Sequence, residues 1–201
     1  MKSIYRRLMN EALKEPLEHM NGRVLDLASG NAPSYHRYLA HPGIEIVCSD
    51  REAKGVQPID FDNPLPYRDS EFDAVLCVNA LYIAKDPVAT LVEARRVMKD
   101  SAQLLLVAPF VFAEAREPHD YWRWTSEGYE RLLKQAGFSA AEITTFGGHF
   151  TSALYIIEPF LYFRFIRWTA HGLARFLDRR IPEHYRRLRP CPLGYLVTAR
   201  K

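Results

Sequence analysis

The chain has 201 residues, 48% of them apolar and 25% charged, values ordinary for a soluble globular protein with one buried core. Its formal charge of +3 is too small to argue for a nucleic-acid partner, and no stretch reaches the ~18 uninterrupted apolar residues of a bilayer-spanning helix. The nearest, residues 154–166, is broken by Glu158, Pro159 and Arg164. Cys48, Cys77 and Cys191 are odd in number and widely spaced. They suggest neither a disulfide framework nor a metal site, and a reducing, cytoplasmic setting is expected. The N-terminus has no apolar run of signal-peptide type.

In chain order, residues 3–20 read as an amphipathic helix, disturbed by Pro16 and closed by Asn21-Gly22. Residues 23–27 read as a strand, 34–40 as a short helix, 44–49 as a second strand and 56–60 as a short third. Residues 74–78 are a continuous apolar run of the kind buried on both faces of a parallel sheet. Asp86 as N-cap and Pro87 at the first helical position open a helix to Met98. Residues 104–108 are another buried strand. Thr125 caps a helix running to Ala136 and stopped at Gly137. Residues 138–145 alternate like a strand, and 194–199 form the last one. Strands alternating with helices predict βαβ units and a doubly wound, mostly parallel α/β sheet. The expected division is a single domain: an N-terminal helix over 1–22, a core over 23–146, an aromatic helical insertion over 147–193 and the last strand over 194–201.

The most informative stretch is Val24-Leu25-Asp26-Leu27-Ala28-Ser29-Gly30-Asn31-Ala32, followed about twenty residues later by Ile46-Val47-Cys48-Ser49-Asp50. An apolar run ends in a small-residue turn, and the next ends in a carboxylate. That pairing suits an adenosine-containing ligand across the carboxyl ends of two neighbouring parallel strands, with Asp50 accepting from both ribose hydroxyls. A lone glycine turn is also what any tight strand-to-helix connection looks like. A nicotinamide-binding domain would want a fuller G-x-G-x-x-G turn and a hydride-transfer site, and neither is found. The companions are Asp60-Phe61-Asp62 and the passage Leu65-Pro66-Tyr67 to Phe72-Asp73-Ala74-Val75.

That series resembles the class I S-adenosylmethionine-dependent methyltransferases over roughly residues 20–146 plus the last strand. The resemblance implies a seven-stranded Rossmann-like sheet with strands one and four side by side and the last strand antiparallel. It implies S-adenosylmethionine as cofactor. The turn containing Ala28 and Gly30, with Asp26 just before it, would hold the methionine end. Asp50, with Arg51 beside it, would hold the ribose, and Asp60 and the Phe61 amide would read the adenine. Asn79, after the fourth strand, would border cofactor and substrate. Asp26, Asp50 and Asp73 are taken together as favouring an active enzyme. Ala28 stands where the family commonly has glycine, which predicts reduced tolerance in the turn.

A second cluster, Glu117-Pro118-His119-Asp120-Tyr121-Trp122-Arg123-Trp124-Thr125, lies in a loop at the open end of the sheet. It resembles the "PHDYxRWT" segment of a bacterial methyltransferase subgroup linked to glycan or small-metabolite modification. His119 and Tyr121 are the candidate catalytic pair, with His119 a base for a hydroxyl acceptor. Asp120 and Arg123 are as readily a loop-stabilising ion pair, and Trp122 and Trp124 loop packing. His149 is a weaker candidate, and His36 and His171 have no partner pattern. Residues 150–190 combine aromatics with arginines; they read as a lid, a substrate or dimer contact, or an interfacial membrane helix. The expected activity is methyl transfer to a small-molecule or glycan-like acceptor, at oxygen. The alternative is a non-catalytic S-adenosylmethionine-binding protein acting as an interaction module.

Overall fold

The computed structural model describes residues 2–31, 33–116 and 119–201. Seven strands form one sheet: β1 (Gly22–Leu27), β2 (Ile44–Asp50), β3 (Gln57–Pro58), β4 (Phe72–Val78), β5 (Met98–Pro109), β6 (Ala140–Phe146) and β7 (Gly194–Arg200). Their order is β3-β2-β1-β4-β5-β7-β6. The expected neighbours pair in parallel, Leu25 against Val75, and β7 runs antiparallel to both β5 and β6. This is the doubly wound, mostly parallel seven-stranded sheet that the resemblance implies.

Alternation along the strands sorts the core into two layers. Leu25, Leu27, Val75, Cys77, Leu104 and Leu106 face α2 (Pro87–Val97) and α3 (Ser126–Gln135). Val24, Ala74, Leu76, Leu105 and Val107 face α1 (Ile4–Glu18), α4 (His149–Ile157) and α5 (Arg164–Arg180). α1 starts at an N-cap, Ser3, whose hydroxyl accepts from the Arg6 N–H at 3.3 Å. Its buried ridge Tyr5–Met9–Leu13–Leu17 repeats every four residues. Each such side chain contributes about 1.5–3 kcal/mol. Pro16 removes one helical hydrogen bond, yet the helix runs on to Glu18.

Several boundaries differ from expectation. Residues 34–40 hold only a 3₁₀ turn, His36–Tyr38. β3 is two residues long, paired with Ser49 and Asp50. β5 begins directly where α2 ends, and its register against β4 shifts between Phe72 and Ala74. The insertion is α4, α5 and α6 (Glu183–Leu188), joined by a 3₁₀ turn at Glu158–Phe160.

Buried polar groups tie the insertion to α1. The Glu158 carboxylate, 3% exposed, accepts from the Ile4 N–H at 3.0 Å, from Arg167 at 2.5 Å and from His171 Nε2 at 3.0 Å. Arg7 reaches the other ring nitrogen of His171 at 3.1 Å, so the neutral tautomer with its proton on Nε2 satisfies both contacts. Burial pushes Glu158 up, but Arg167, the Ile4 amide and His171 hold it below the usual carboxylate range. Burial lowers His171, against the pull of Glu158.

Both shifts have the same sign for stability. A depressed histidine takes its proton in the unfolded chain first, so stability is lost as pH falls below about 6.5. The depressed carboxylate adds a further loss below about 4.3. Urea midpoints should therefore fall between pH 7.5 and 5.5, and His171→Gln should flatten that slope. Glu158→Ala, which strands His171 and the Ile4 amide, should cost about 3 kcal/mol or more in urea unfolding.

Candidate functional site

β1, β2 and β4 run in parallel and end at one edge of the sheet, with the short β3 beside β2. At that edge lies a cleft of about 160 Å³ lined by Ala28, Asp50, Arg51, Asp60, Phe61 and His119, with Glu52, Asp62 and Ile83 between them. Seven of the residues named in the sequence thus converge, Asp62 beside Asp60 and Phe61 among them, including one of the two catalytic candidates. Glu52 and Ile83 went unnoticed as lining residues; for Glu52 its place two residues after Asp50 was the available signal.

Asp50 is the centre of the cleft. Its Oδ2 accepts from the Gly30 N–H at 3.0 Å, and its Oδ1 from the Glu52 and Ala53 N–H groups, each at 2.9 Å. A carboxylate offers about four acceptor positions. Three are taken by main chain, which leaves one on Oδ2. Asp50 thus also joins the turn after β1 to the turn after β2. Asp60 accepts from the Asp62 N–H at 3.1 Å, and Asp62 from the Lys85 N–H at 2.9 Å. Phe61 packs on the core through its ring, and its carbonyl accepts from Thr90 at 3.4 Å. Arg51 pairs with Glu52 at 3.2 Å.

The turn itself is strained. Ala28 has φ +57° and Gly30 φ +67°, the left-handed region in which a Cβ costs roughly 1–2 kcal/mol. Ala32 lies outside the described residues.

The structure does not bring Asp26, Gly30, Asn79 or Tyr121 into the cleft lining; Gly30 is linked to it through its N–H bond to Asp50. Asp26 is fully buried on the α1 side. Its oxygens accept from the Tyr35 hydroxyl at 2.8 and 3.1 Å and from His36 Nε2 at 2.6 Å. Burial raises its pKa, opposed by His36 and Tyr35. His36 therefore does have a partner, ten residues away and invisible to any local pattern. Asn79 has φ +54°; its amide accepts from the Tyr5 hydroxyl at 2.5 Å and faces Met9 Sδ at 3.1 Å, toward α1. Asp73 is also reassigned. It sits at the start of β4, at the opposite edge of the sheet, held by the Arg23 N–H and Lys99, each at 2.9 Å.

His119 and Tyr121 stack with ring centroids 5.1 Å apart, and both are exposed. Glu117 and Pro118, the first two residues of that segment, lie outside the described residues. Asp120 and Arg123 form a two-point ion pair, one contact of it at 2.6 Å, and Asp120 also accepts from the Ala115 N–H at 2.9 Å. Burial pushes Asp120 up, but Arg123 and the Ala115 amide hold it below the ordinary value. The Arg123 guanidinium lies 5.2 Å from the Tyr82 ring centroid and 5.9 Å from that of Phe112. Trp122 donates to the Ala84 carbonyl at 2.8 Å and stacks on Trp124. These four residues fix the loop. Beyond them Tyr5, Phe112 and Tyr155 form an aromatic cluster that sequence reading missed, because its members come from three distant segments. His149 lines a separate cavity of about 510 Å³ with Arg186, Arg187 and Cys191. The Cys77 thiol is buried and its pKa is pushed up to about 12, as befits a core residue.

Replacing Ala28 by glycine should release the strain of the turn. We expect Ala28→Gly to raise unfolding stability by about 1 kcal/mol in urea, net of the added unfolded-state entropy.

A family model described as a methyltransferase domain matches residues 25–106. No curated protein matches the chain. Among solved structures, a SAM-dependent methyltransferase from Archaeoglobus fulgidus superposes with a TM-score of 0.65 at 18% identity, covering 98% of this chain and 94% of that one. An S-adenosylmethionine-dependent methyltransferase from Mesorhizobium loti gives 0.63 at 17%, covering 95% and 96%. The 1,6-didemethyltoxoflavin-N1-methyltransferase of Burkholderia thailandensis gives 0.61 at 15%, covering 98% and 78%. At these identities the superpositions speak for the fold, and the matched domain speaks for the chemistry. That domain spans the turn, Asp50, Asp60 and Phe61, so the chain carries a methyltransferase domain set in a sheet of class I fold.

Proposed function

We propose that the enzyme methylates a hydroxyl oxygen of a small-molecule or glycan-like acceptor, with His119 as the base and Tyr121 beside it. The observation that carries this reading is that His119, from the loop after β5, lines the same cleft as Asp50, Asp60 and Phe61. The cleft residues fit the cofactor chemically. Asp50 keeps one acceptor position for a ribose hydroxyl, Asp60 and Phe61 flank the place of the adenine, and the Ala28–Gly30 turn presents backbone to the methionine end. The acidic lining of Asp50, Glu52, Asp60 and Asp62 suits a ligand carrying a sulfonium and an ammonium. Asp26 and Asn79 act at one remove, by fixing the turn and the end of β4. When bound, the cofactor supplies a methyl group on a good leaving group, so the protein's main task is to position the acceptor.

A hydroxyl is a weak nucleophile, and neutral imidazole can take its proton as the acceptor reacts. Tyr121 stacks on His119 and limits its orientation. Arg123 and Asp120 hold the loop rather than the substrate. A small acceptor is also what the Burkholderia thailandensis neighbour was solved with. The exposed face of residues 150–190 supplies a contact surface outside the cleft.

Asp50→Ala should weaken S-adenosylmethionine binding by about 1–3 kcal/mol in calorimetric titration, the scale of hydrogen bonds to a charged acceptor. Unchanged affinity in the folded variant would make Asp50 a loop tie only. His119→Ala should lower turnover about 10²–10⁴-fold with cofactor affinity nearly unchanged. Tyr121→Phe, which keeps the ring, should cost much less. Near-normal turnover in folded His119→Ala would assign the reaction to positioning alone, as for an acceptor nitrogen.

A further inference from the structure

We propose that the outer face of α5 and the turn before it rest on an anionic lipid bilayer. Phe160, Tyr162, Phe163, Phe165, Trp168 and Phe176 are each at least half exposed, Tyr162 as much as 85%. Single exposed apolar residues are ordinary, but a contiguous aromatic run of this size on a folded surface marks a contact. On α5 the exposed Phe165, Trp168, Gly172 and Phe176 recur at intervals of three and four. The inward side carries His171 and Ala174 instead.

That outer face is held firmly. His171 bonds the buried Glu158, Arg175 forms a two-point pair with Glu11 at 2.8 and 3.0 Å, and Asp178 accepts from Phe150, Thr151 and the Thr151 hydroxyl at the start of α4. The aromatic face is thus a fixed feature of the fold. α5 has 17 residues, about 25 Å of helix. Among the described residues no helix is long and apolar enough to cross a membrane. The composition suits a helix lying in the interface plane, with aromatic rings at headgroup depth.

Charge selects the occupant. Residues 164–189 carry eight arginines against Asp178 and Glu183. Asp178 is spent on α4, and Glu183 pairs with Arg187. Arg164, Arg179, Arg180, Arg186 and Arg189 are exposed and have no carboxylate within ion-pair distance among the described residues. The Arg180 guanidinium lies 4.6 Å from the Phe176 ring centroid, so cation and aromatic share the face. A second copy docked on this face by two-fold symmetry would bring arginines against arginines. Anionic headgroups neutralise them. A groove of about 450 Å³, lined by Phe110, Phe112, Tyr155, Ile156 and Pro159 with Glu158 and Arg167 beside them, joins the turn before α5 to the end of β5. The bilayer would therefore lie at the edge of the sheet that carries the cofactor cleft.

Flotation of the purified chain with extruded vesicles tests this directly. The chain should float with phosphatidylcholine vesicles containing phosphatidylglycerol, release at high salt, and bind pure phosphatidylcholine much less. Trp168 emission should shift to the blue on binding, and Trp168→Phe should remove that change. The double variant Phe165→Ser/Trp168→Ser should lose vesicle binding at least about tenfold, and Arg179→Gln/Arg180→Gln should weaken it on anionic vesicles. Unchanged S-adenosylmethionine affinity shows that these variants are folded. No flotation with anionic vesicles overturns the proposal, as does flotation unaffected by the double variant. A stable wild-type dimer that the double variant dissociates would also overturn it, by assigning the face to a second copy.

Discussion

β1 lies between β2 and β4 and runs parallel to both, so the chain must leave this edge of the sheet in two opposed directions. The gap between those departures cannot be filled by a crossover helix, and loops carrying polar side chains occupy it. Asp50 spans part of the opening by binding the main chain of both flanking turns. The strained backbone of Ala28 persists because Ser29 is fixed to the Ser49 carbonyl at 2.9 Å and Gly30 to Asp50. The cleft is thus a consequence of strand order, made specific by one carboxylate.

Two buried carboxylates frame the site from behind. Asp26 and Glu158 each lie on the α1 side of the sheet, and each is matched by a histidine and a second donor. A buried acid without such partners would be strongly destabilising. Asp26 holds the segment after the first turn, and Glu158 holds the start of α1 against α5. α1 in turn places Tyr5 against Asn79 and the Phe112–Tyr155 stack. The wall facing the loop after β5 therefore depends on the insertion as well as on the sheet.

The sheet could be read from the sequence because its signals are local. Leu25 and Val75 sit in runs apolar on both faces, Asp86-Pro87 opens a helix and Gly137 closes one. The cleft lining was readable where a residue follows a strand end, as for Asp50, Asp60, Phe61 and, after β5, His119. What failed depends on distant partners. Asp26 looked like a ligand contact because Tyr35 and His36 cannot be seen to reach it. Asp73 counted toward an active enzyme, but it lies at the start of its strand, where its carboxylate serves the Arg23 N–H and Lys99. The 34–40 segment had helical composition, but Tyr35 and Leu39 are drawn into the core and only one 3₁₀ turn forms. The aromatic wall draws on residues 5, 112 and 155, which no spacing rule connects.

The most direct measurement is a crystal structure with S-adenosylhomocysteine bound. A ribose hydroxyl should lie within hydrogen-bond distance of Asp50 Oδ2, the adenine beside Asp60 and Phe61, and the sulfur facing the side of the cleft that His119 lines. A ligand seated instead in the cavity of His149, Arg186 and Cys191, or a ribose remote from Asp50, would contradict the assignment of this cleft.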